Sequence, residues 1–173
     1  MSWRPAYVAL GSNLSDPVRQ VESALKGLAE LPETRLVLRS RLWRSRPMGP
    51  RDQPDFVNAV AGLLTQLEPL ALLGGLQALE RRMGRTEPPV RWGPRLIDLD
   101  LLMLGDHCCS EPGLQLPHPG LHRRNFVLYP LAEIAPTLWV PGHGRVQALL
   151  AGIQGDGLEP LTARGSGDSI SNR

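Results

Sequence analysis

The chain has 173 residues, 21% of them charged, and a formal net charge of +2. That length supports one domain with a real core and excludes two large ones, and the composition is globular rather than disordered. The mild charge makes no case for a nucleic-acid partner, and no apolar run approaches the roughly 18 residues of a membrane span.

The segment MSWRPAYVALGSNL lacks a basic stretch followed by an apolar one and a small-residue cleavage site, so the expected compartment is the cytoplasm. Tyr7 to Leu10 reads as a strand ended by the turn Gly11-Ser12-Asn13. A helix follows, capped by Ser15 or Asp16, with Pro17 in its first turn. Val18, Val21, Leu25 and Leu28 fall on one helical stripe, and Pro32 stops it.

Leu36 to Arg44 alternates and predicts a second strand. Ser45 to Pro54 is a loop, and Phe56 to Leu67 a third strand. A second helix starts near Pro69, carries Leu72, Leu73, Leu76, Leu79 and Met83 inward, and stops at Gly84. Arg85 to Pro94 is another loop. Leu96 to Leu104 is the strongest strand signal in the chain. A turn region follows, then the segment Leu116-Pro117-His118-Pro119, a short helix around Leu121 to Arg123, and a last apolar stretch near Phe126 to Ile134. The expected domain is 1–161. The small, polar stretch 162–173 predicts a disordered tail. Strand, helix, two strands, helix, strand is the split βαβ order: a ferredoxin-like α+β sandwich, its sheet mostly antiparallel with helices packed on its faces.

Cys108 and Cys109 are adjacent, which suits neither a disulfide nor, with His107, a zinc site, so reduced thiols are expected. Lys26 is the only lysine. The other cationic side chains are arginines, whose planar fork matches phosphate oxygens, although genomic composition bias accounts for most of the skew.

The stretch from Arg91 to Leu102 carries the chemistry. On a strand, Asp98 and Asp100 project to the same face, about 7 Å apart along the backbone. Among Leu96, Ile97, Leu99, Leu101 and Leu102 they need compensating cations. Two readings stand open: an ion-pair network with Arg91 and Arg95, or a magnesium site completed by substrate phosphates. Arg85, Arg91 and Arg95 beside such a pair suit a polyphosphate. The glycine-rich nucleotide motifs are missing: Lys26 has no phosphate-loop setting, and Gly142-His143-Gly144 is a turn.

Four segments together resemble the 6-hydroxymethyl-7,8-dihydropterin pyrophosphokinase family: Ala9-Leu10-Gly11-Ser12-Asn13-Leu14; Gly49-Pro50 with Asp52 to Asn58; Arg91 to Leu102; and Leu116-Pro117-His118-Pro119. The similarity runs from about Ala6 to Leu161. It implies a ferredoxin-like monomer that moves the β,γ-diphosphate of ATP to the pterin hydroxymethyl group in folate biosynthesis, releasing AMP. It implies two magnesium ions on Asp98 and Asp100, with Arg85, Arg91 and Arg95 assisting catalysis. The pterin would meet Ser45, Met48, Phe56, Asn58, Trp92, Asp98 and Phe126, whose aromatics offer faces to a flat ring. The nucleotide would meet Gln77, Glu80, Arg85, Arg91, Trp92, Arg95, Leu114, His118 and Arg124, while His107, His122 and His143 are left at the surface. The two loops, 45–54 and 85–94, would close over the substrates. The family pattern is departed from at Glu87 and Gly113, where better-studied members carry arginine, and at Pro119, where they carry an aromatic residue. Two rivals are a two-metal phosphodiesterase using the same aspartates and a non-enzymatic RNA-binding module on a ferredoxin-like sheet.

Overall fold

The computed structural model describes residues 2–85 and 92–162. The Glu87 departure and the Arg91 assignment fall outside them, as does 163–173 of the expected tail. Strand β1 (Arg4–Ser12) leads to helix α1 (Pro17–Ala29). Asp16 caps that helix, its carboxylate accepting from the Arg19 N–H at 3.4 Å. Val21, Ala24, Leu25 and Leu28 form the buried stripe, but Val18, in the first turn, is 41% exposed.

The predicted second strand is two strands, β2 (Thr34–Arg39) and β3 (Trp43–Ser45). Ser40 makes the break. Its N–H reaches the Val60 carbonyl at 2.9 Å, while its hydroxyl accepts from the Val60 N–H at 2.9 Å and donates to the Arg41 carbonyl at 2.7 Å. A side chain has replaced a backbone partner there. Strand β4 (Phe56–Thr65) pairs β1 along one edge and both β2 and β3 along the other, all antiparallel.

Helix α2 (Pro69–Arg82) buries Leu72, Leu76 and Leu79, with Leu73 and Met83 half-buried against the same core. Strand β5 (Asp98–Leu104) adds to the free edge of β1. The predicted turn region after it contains a hairpin, β6 (Cys109–Glu111) with β7 (Leu114–Leu116). Leu121 to Arg123 is a turn rather than the expected helix. The helix begins later, as α3 (Asn125–Ile134), on the segment read only as apolar. A second hairpin, β8 (Trp139–Val140) with β9 (Gly144–Arg145), brackets the turn expected at Gly142 to Gly144. Short helix α4 (Val146–Ala151) and strand β10 (Leu158–Pro160) follow. The main sheet has six strands in the order β10-β3-β4-β1-β5, with β2 also on β4.

Strand alternation gives the sheet two apolar faces. Ala6, Val8, Leu10, Ala59, Ala61, Leu99 and Leu101 pack with α1 and α2. Val60, Leu102, Met103 and the inner side of α3 make a second core on the other face. Met103 joins Leu102 there because the β1–β5 register shifts between Tyr7 and Val8. Among the described residues no helix is long and apolar enough to cross a membrane. Cys108 and Cys109 carry no disulfide, one exposed and one half-buried.

The two cores should respond alike to truncation. Leu76→Ala on one face and Leu131→Ala on the other, both fully buried, each lower stability by about 2–5 kcal/mol in denaturant titrations. Val18→Ala, exposed in the first turn of α1, changes it by less than about 0.5 kcal/mol.

Candidate active site

One end of the α3-side sheet face is left open by the helix. Four adjacent strands deliver polar or small residues and one aromatic to it: Ser45 from β3, Phe56 and Asn58 from β4, Ala9 and Gly11 from β1, Asp98 and Asp100 from β5. Register makes this a row, since Asn58 stands opposite Gly11, which stands opposite Asp98. Ser45 Oγ accepts from Asn58 Nδ2 at 2.6 Å, which fixes the carboxamide with Oδ1 turned toward Gly11. A cavity is lined by these residues together with Met48, Trp92, Arg95, Arg124 and Phe126. Its walls are aromatic at the sides and polar at the floor, and it takes in every residue expected at the pterin site.

A second cavity adjoins it. Leu73, Leu101, Leu114 and Pro119 supply apolar wall, and His118 and Glu111 supply polar groups. Asp100 lines both cavities. Gly113, at one departure position, opens onto space, with nothing within 4 Å of where a side chain would begin. The His118 backbone is fixed by an N–H bond to the Leu102 carbonyl at 2.9 Å. Its Nδ1 accepts from the Gly120 N–H at 2.9 Å, so the neutral ring carries its proton on Nε2. Burial, and then the charge of Arg124, push His118 down to about 4. It is a neutral hydrogen-bond donor at physiological pH, not a cation.

The carboxylates are compensated unevenly. Arg85 donates to Asp98 at 3.0 Å and forms a short ion pair with Glu80. Glu80 is buried on α2 and also accepts the Leu99 N–H at 3.0 Å, which ties the helix to the strand between the two aspartates. Burial raises the Glu80 carboxyl, and its bond from Leu99 N–H works against that shift. Gln77, one turn earlier, stays exposed and lines neither cavity. Asp100 keeps some surface open to the cavities, but protein packs closely round its carboxyl. That burial, with the neighbouring Asp98 charge, pushes Asp100 up to about 7. Arg124 pulls in the opposite sense. Its guanidinium lies 5.3 Å from the Trp92 ring centroid and 6.0 Å from that of Phe126.

A polar clasp holds the two loops at the mouth, and sequence reasoning assigned it no role. Asn13 is buried at the end of β1. Its Nδ2 donates to Gln53 Oε1 and to the Pro54 carbonyl, both at 2.9 Å, and its Oδ1 accepts the Arg95 N–H at 2.8 Å. Gln53 Nε2 in turn donates to the Trp92 carbonyl at 2.9 Å. Gly49 closes the contact: a Cβ there would sit 2.4 Å from the Trp92 carbonyl oxygen. Trp92 itself has φ of 63°, a left-handed backbone that non-glycine residues seldom adopt. The sequence signal was available in two polar residues flanking apolar strands, Asn13 after β1 and Gln53 before β4. Arg46, also unassigned, lines the first cavity. Of the histidines left at the surface, His107 and His143 are exposed, but His122 is half-buried and stacks on His143 with ring centroids 3.8 Å apart.

A family model described as 7,8-dihydro-6-hydroxymethylpterin-pyrophosphokinase matches residues 7–136. A 2-amino-4-hydroxy-6-hydroxymethyldihydropteridine pyrophosphokinase of Pseudomonas aeruginosa is 50% identical over 155 residues, covering 90% of this chain and 95% of that protein. One of Haemophilus influenzae is 48% identical over 136 residues, covering 79% and 84%. A crystal structure of Plasmodium falciparum HPPK-DHPS superposes with a TM-score of 0.68 over 87% of this chain. This chain spans only 43% of that longer one, and at 13% identity the likeness shows the fold. With a family model matched across most of its length and near-full-length relatives at about half identity, the chain belongs to the 7,8-dihydro-6-hydroxymethylpterin-pyrophosphokinase family.

Proposed function

We propose that this pyrophosphokinase of folate biosynthesis transfers the β,γ-diphosphate of ATP to the hydroxymethyl oxygen of 6-hydroxymethyl-7,8-dihydropterin. A new O–P bond forms at the β-phosphorus, the bond from that phosphorus to the AMP oxygen breaks, and the hydroxyl proton is lost. The observation that carries this reading is that Asp100 lines two cavities at once, with Asp98 beside it. Donor and acceptor would meet over the carboxylate pair.

Each cavity suits one substrate. Phe56, Trp92 and Phe126 offer faces to a pterin ring, Met48 covers it, and Asn58, oriented by Ser45, addresses its hydrogen-bonding edge. Leu114 and His118 would face the nucleotide, with the His118 Nε2–H a donor for phosphate or ribose oxygen. Arg95 and Arg124, which line the first cavity, suit phosphate oxygens. Arg85 would reach them from beside Asp98, with Glu80 steadying it. Arg91 and Gln77 are proposed nucleotide contacts on the family resemblance alone.

Asp98 and Asp100 fit two magnesium ions by donor chemistry. Hard oxygen donors share one face, and burial together with the neighbouring Asp98 charge pushes the Asp100 carboxyl up to about 7, a cost that a bound cation would offset. Among the described residues no group of three or more His, Cys, Asp or Glu stands together, so substrate phosphates and water would complete the shell. Magnesium, when bound, neutralises the charge developing on the transferred oxygens. We read the protein as a cytoplasmic monomer.

Asp98→Ala or Asp100→Ala lowers kcat by on the order of a thousandfold while the circular dichroism spectrum is retained. AMP is followed with ATP, magnesium and the pterin; near-wild-type turnover in both variants would sink the metal assignment. The metal-free pH response follows from Asp100. Its folded pKa, about 7, stands above the ordinary 3.8, so the native state holds the extra proton across that window and loses stability as pH rises through it. Asp100→Asn therefore becomes progressively more stable than the wild type between about pH 5 and 7 in chelator, and the gap closes when magnesium and nucleotide are added. A gap independent of pH in chelator would contradict the buried-carboxyl account.

A further inference from the structure

The wall of the first cavity that holds Ser45 is thin. It is β3, a strand of three residues, and its outer edge would be bare without the chain's last described stretch. Strand β10 covers it, pairing Leu158 with Ser45, Glu159 with Arg44 and Pro160 with Trp43. Proline is tolerated because β10 is the outermost strand. Two further bonds extend the seam: Arg46 N–H to the Gly157 carbonyl at 3.2 Å, and Leu161 N–H to the Leu42 carbonyl at 2.8 Å. The Arg46 side chain lies across Gly157, whose φ of +70° and lack of Cβ admit it.

Backbone pairing holds this strap to β3, and one side chain ties its start to α3. Asn125, the first residue of α3, donates through Nδ2 to two strap carbonyls, Gln154 at 3.0 Å and Asp156 at 3.1 Å. The bonds span 29 and 31 residues, and both amide hydrogens are used. On either side of Asn125 stand Arg124 and Phe126, which line the cavity. Asn125 thus links the α3 wall to the β3 wall through the strap while lining neither cavity itself.

We infer that Asn125 is a positioning residue for the pterin subsite, holding the strap 154–161 against β3 so that Ser45, Asn58 and Phe126 keep one spacing. The inference rests on the pterin reading of the first cavity. It makes the C-terminal strap part of acceptor recognition, while the second cavity, on β5, β7 and the His118 turn, has no strap residue in its wall and meets Asn125 only through the neighbouring Arg124.

The test compares steady-state kinetics of the full chain with Asn125→Asp, Asn125→Ala and Asn125→Gln. Aspartate keeps the size and removes the donor, so a charged oxygen faces two carbonyls. The expected result is a pterin KM raised about tenfold in the aspartate and alanine variants, partly restored by glutamine, with the ATP KM raised by a much smaller factor. Amide hydrogen exchange of residues 155–161 should accelerate in step. A pterin KM unchanged while strap exchange accelerates, or both KM values rising by similar factors, overturns the inference and leaves the reaction standing. Absence of pterin-dependent turnover in the wild type overturns the reaction and this inference with it.

Discussion

Two carboxylates on alternate residues of one strand cannot move apart. Asp98 and Asp100 are fixed to one face by the pleat, and pairing of β5 with β1 allows no relaxation of the backbone between them. Among the described residues, protein cations meet this constraint only in part. Of these, Arg85 serves Asp98 and Glu80 together, while Asp100 feels the charges of Arg124 and Arg85 but keeps a raised pKa. That uneven compensation is what the proposed magnesium would answer, with the arginines and the neutral His118 left for phosphate oxygens under the same proposal.

The scaffold turns that charge pattern into a place. Glu80 spans from α2 to the Leu99 N–H between the aspartates, so helix and strand hold the pair from behind. Asn13 and Gln53 hold it from in front, since their bonds fasten the Trp92–Arg95 segment to the loop before β4. Helix α3 covers the same sheet face further along, which leaves Phe56 and Phe126 in a cavity rather than on an open platform. That is unlike the exposed aromatic surface an RNA-binding sheet presents, and it fits a small flat substrate.

Much of this could be read in the residues. The alternation around Asp98 and Asp100 predicts a strand and a shared face, and the structure has both. Helices α1 and α2 follow from apolar spacing and their prolines. Val18 shares its side of α1 with buried Leu25, but it stands in the first turn, where helical spacing does not tell how far the covering sheet reaches. The break at Ser40 was hidden because a hydroxyl oxygen can stand in for a backbone carbonyl without altering the apolar pattern. Helix α3 was masked by Pro130 and by contacts on several sides, which leave no polar face to mark a period. The strap was beyond pattern reading: three residues ending in proline form a strand only because β3 needs an edge partner. Of the candidate site, the carboxylate pair and the aromatic walls were legible. The Asn13–Gln53 clasp and Asn125 were not, since a polar residue's role depends on partners tens of residues away.

The central claim is that Asp100 must give up a proton when magnesium and nucleotide arrive. Calorimetry of magnesium–ATP binding near pH 6.5, in buffers of different ionisation enthalpy, counts that proton directly. The account predicts net proton release by the wild type, greatly reduced in Asp100→Asn. Binding enthalpies independent of buffer in the wild type, or equal release by both proteins, would contradict it.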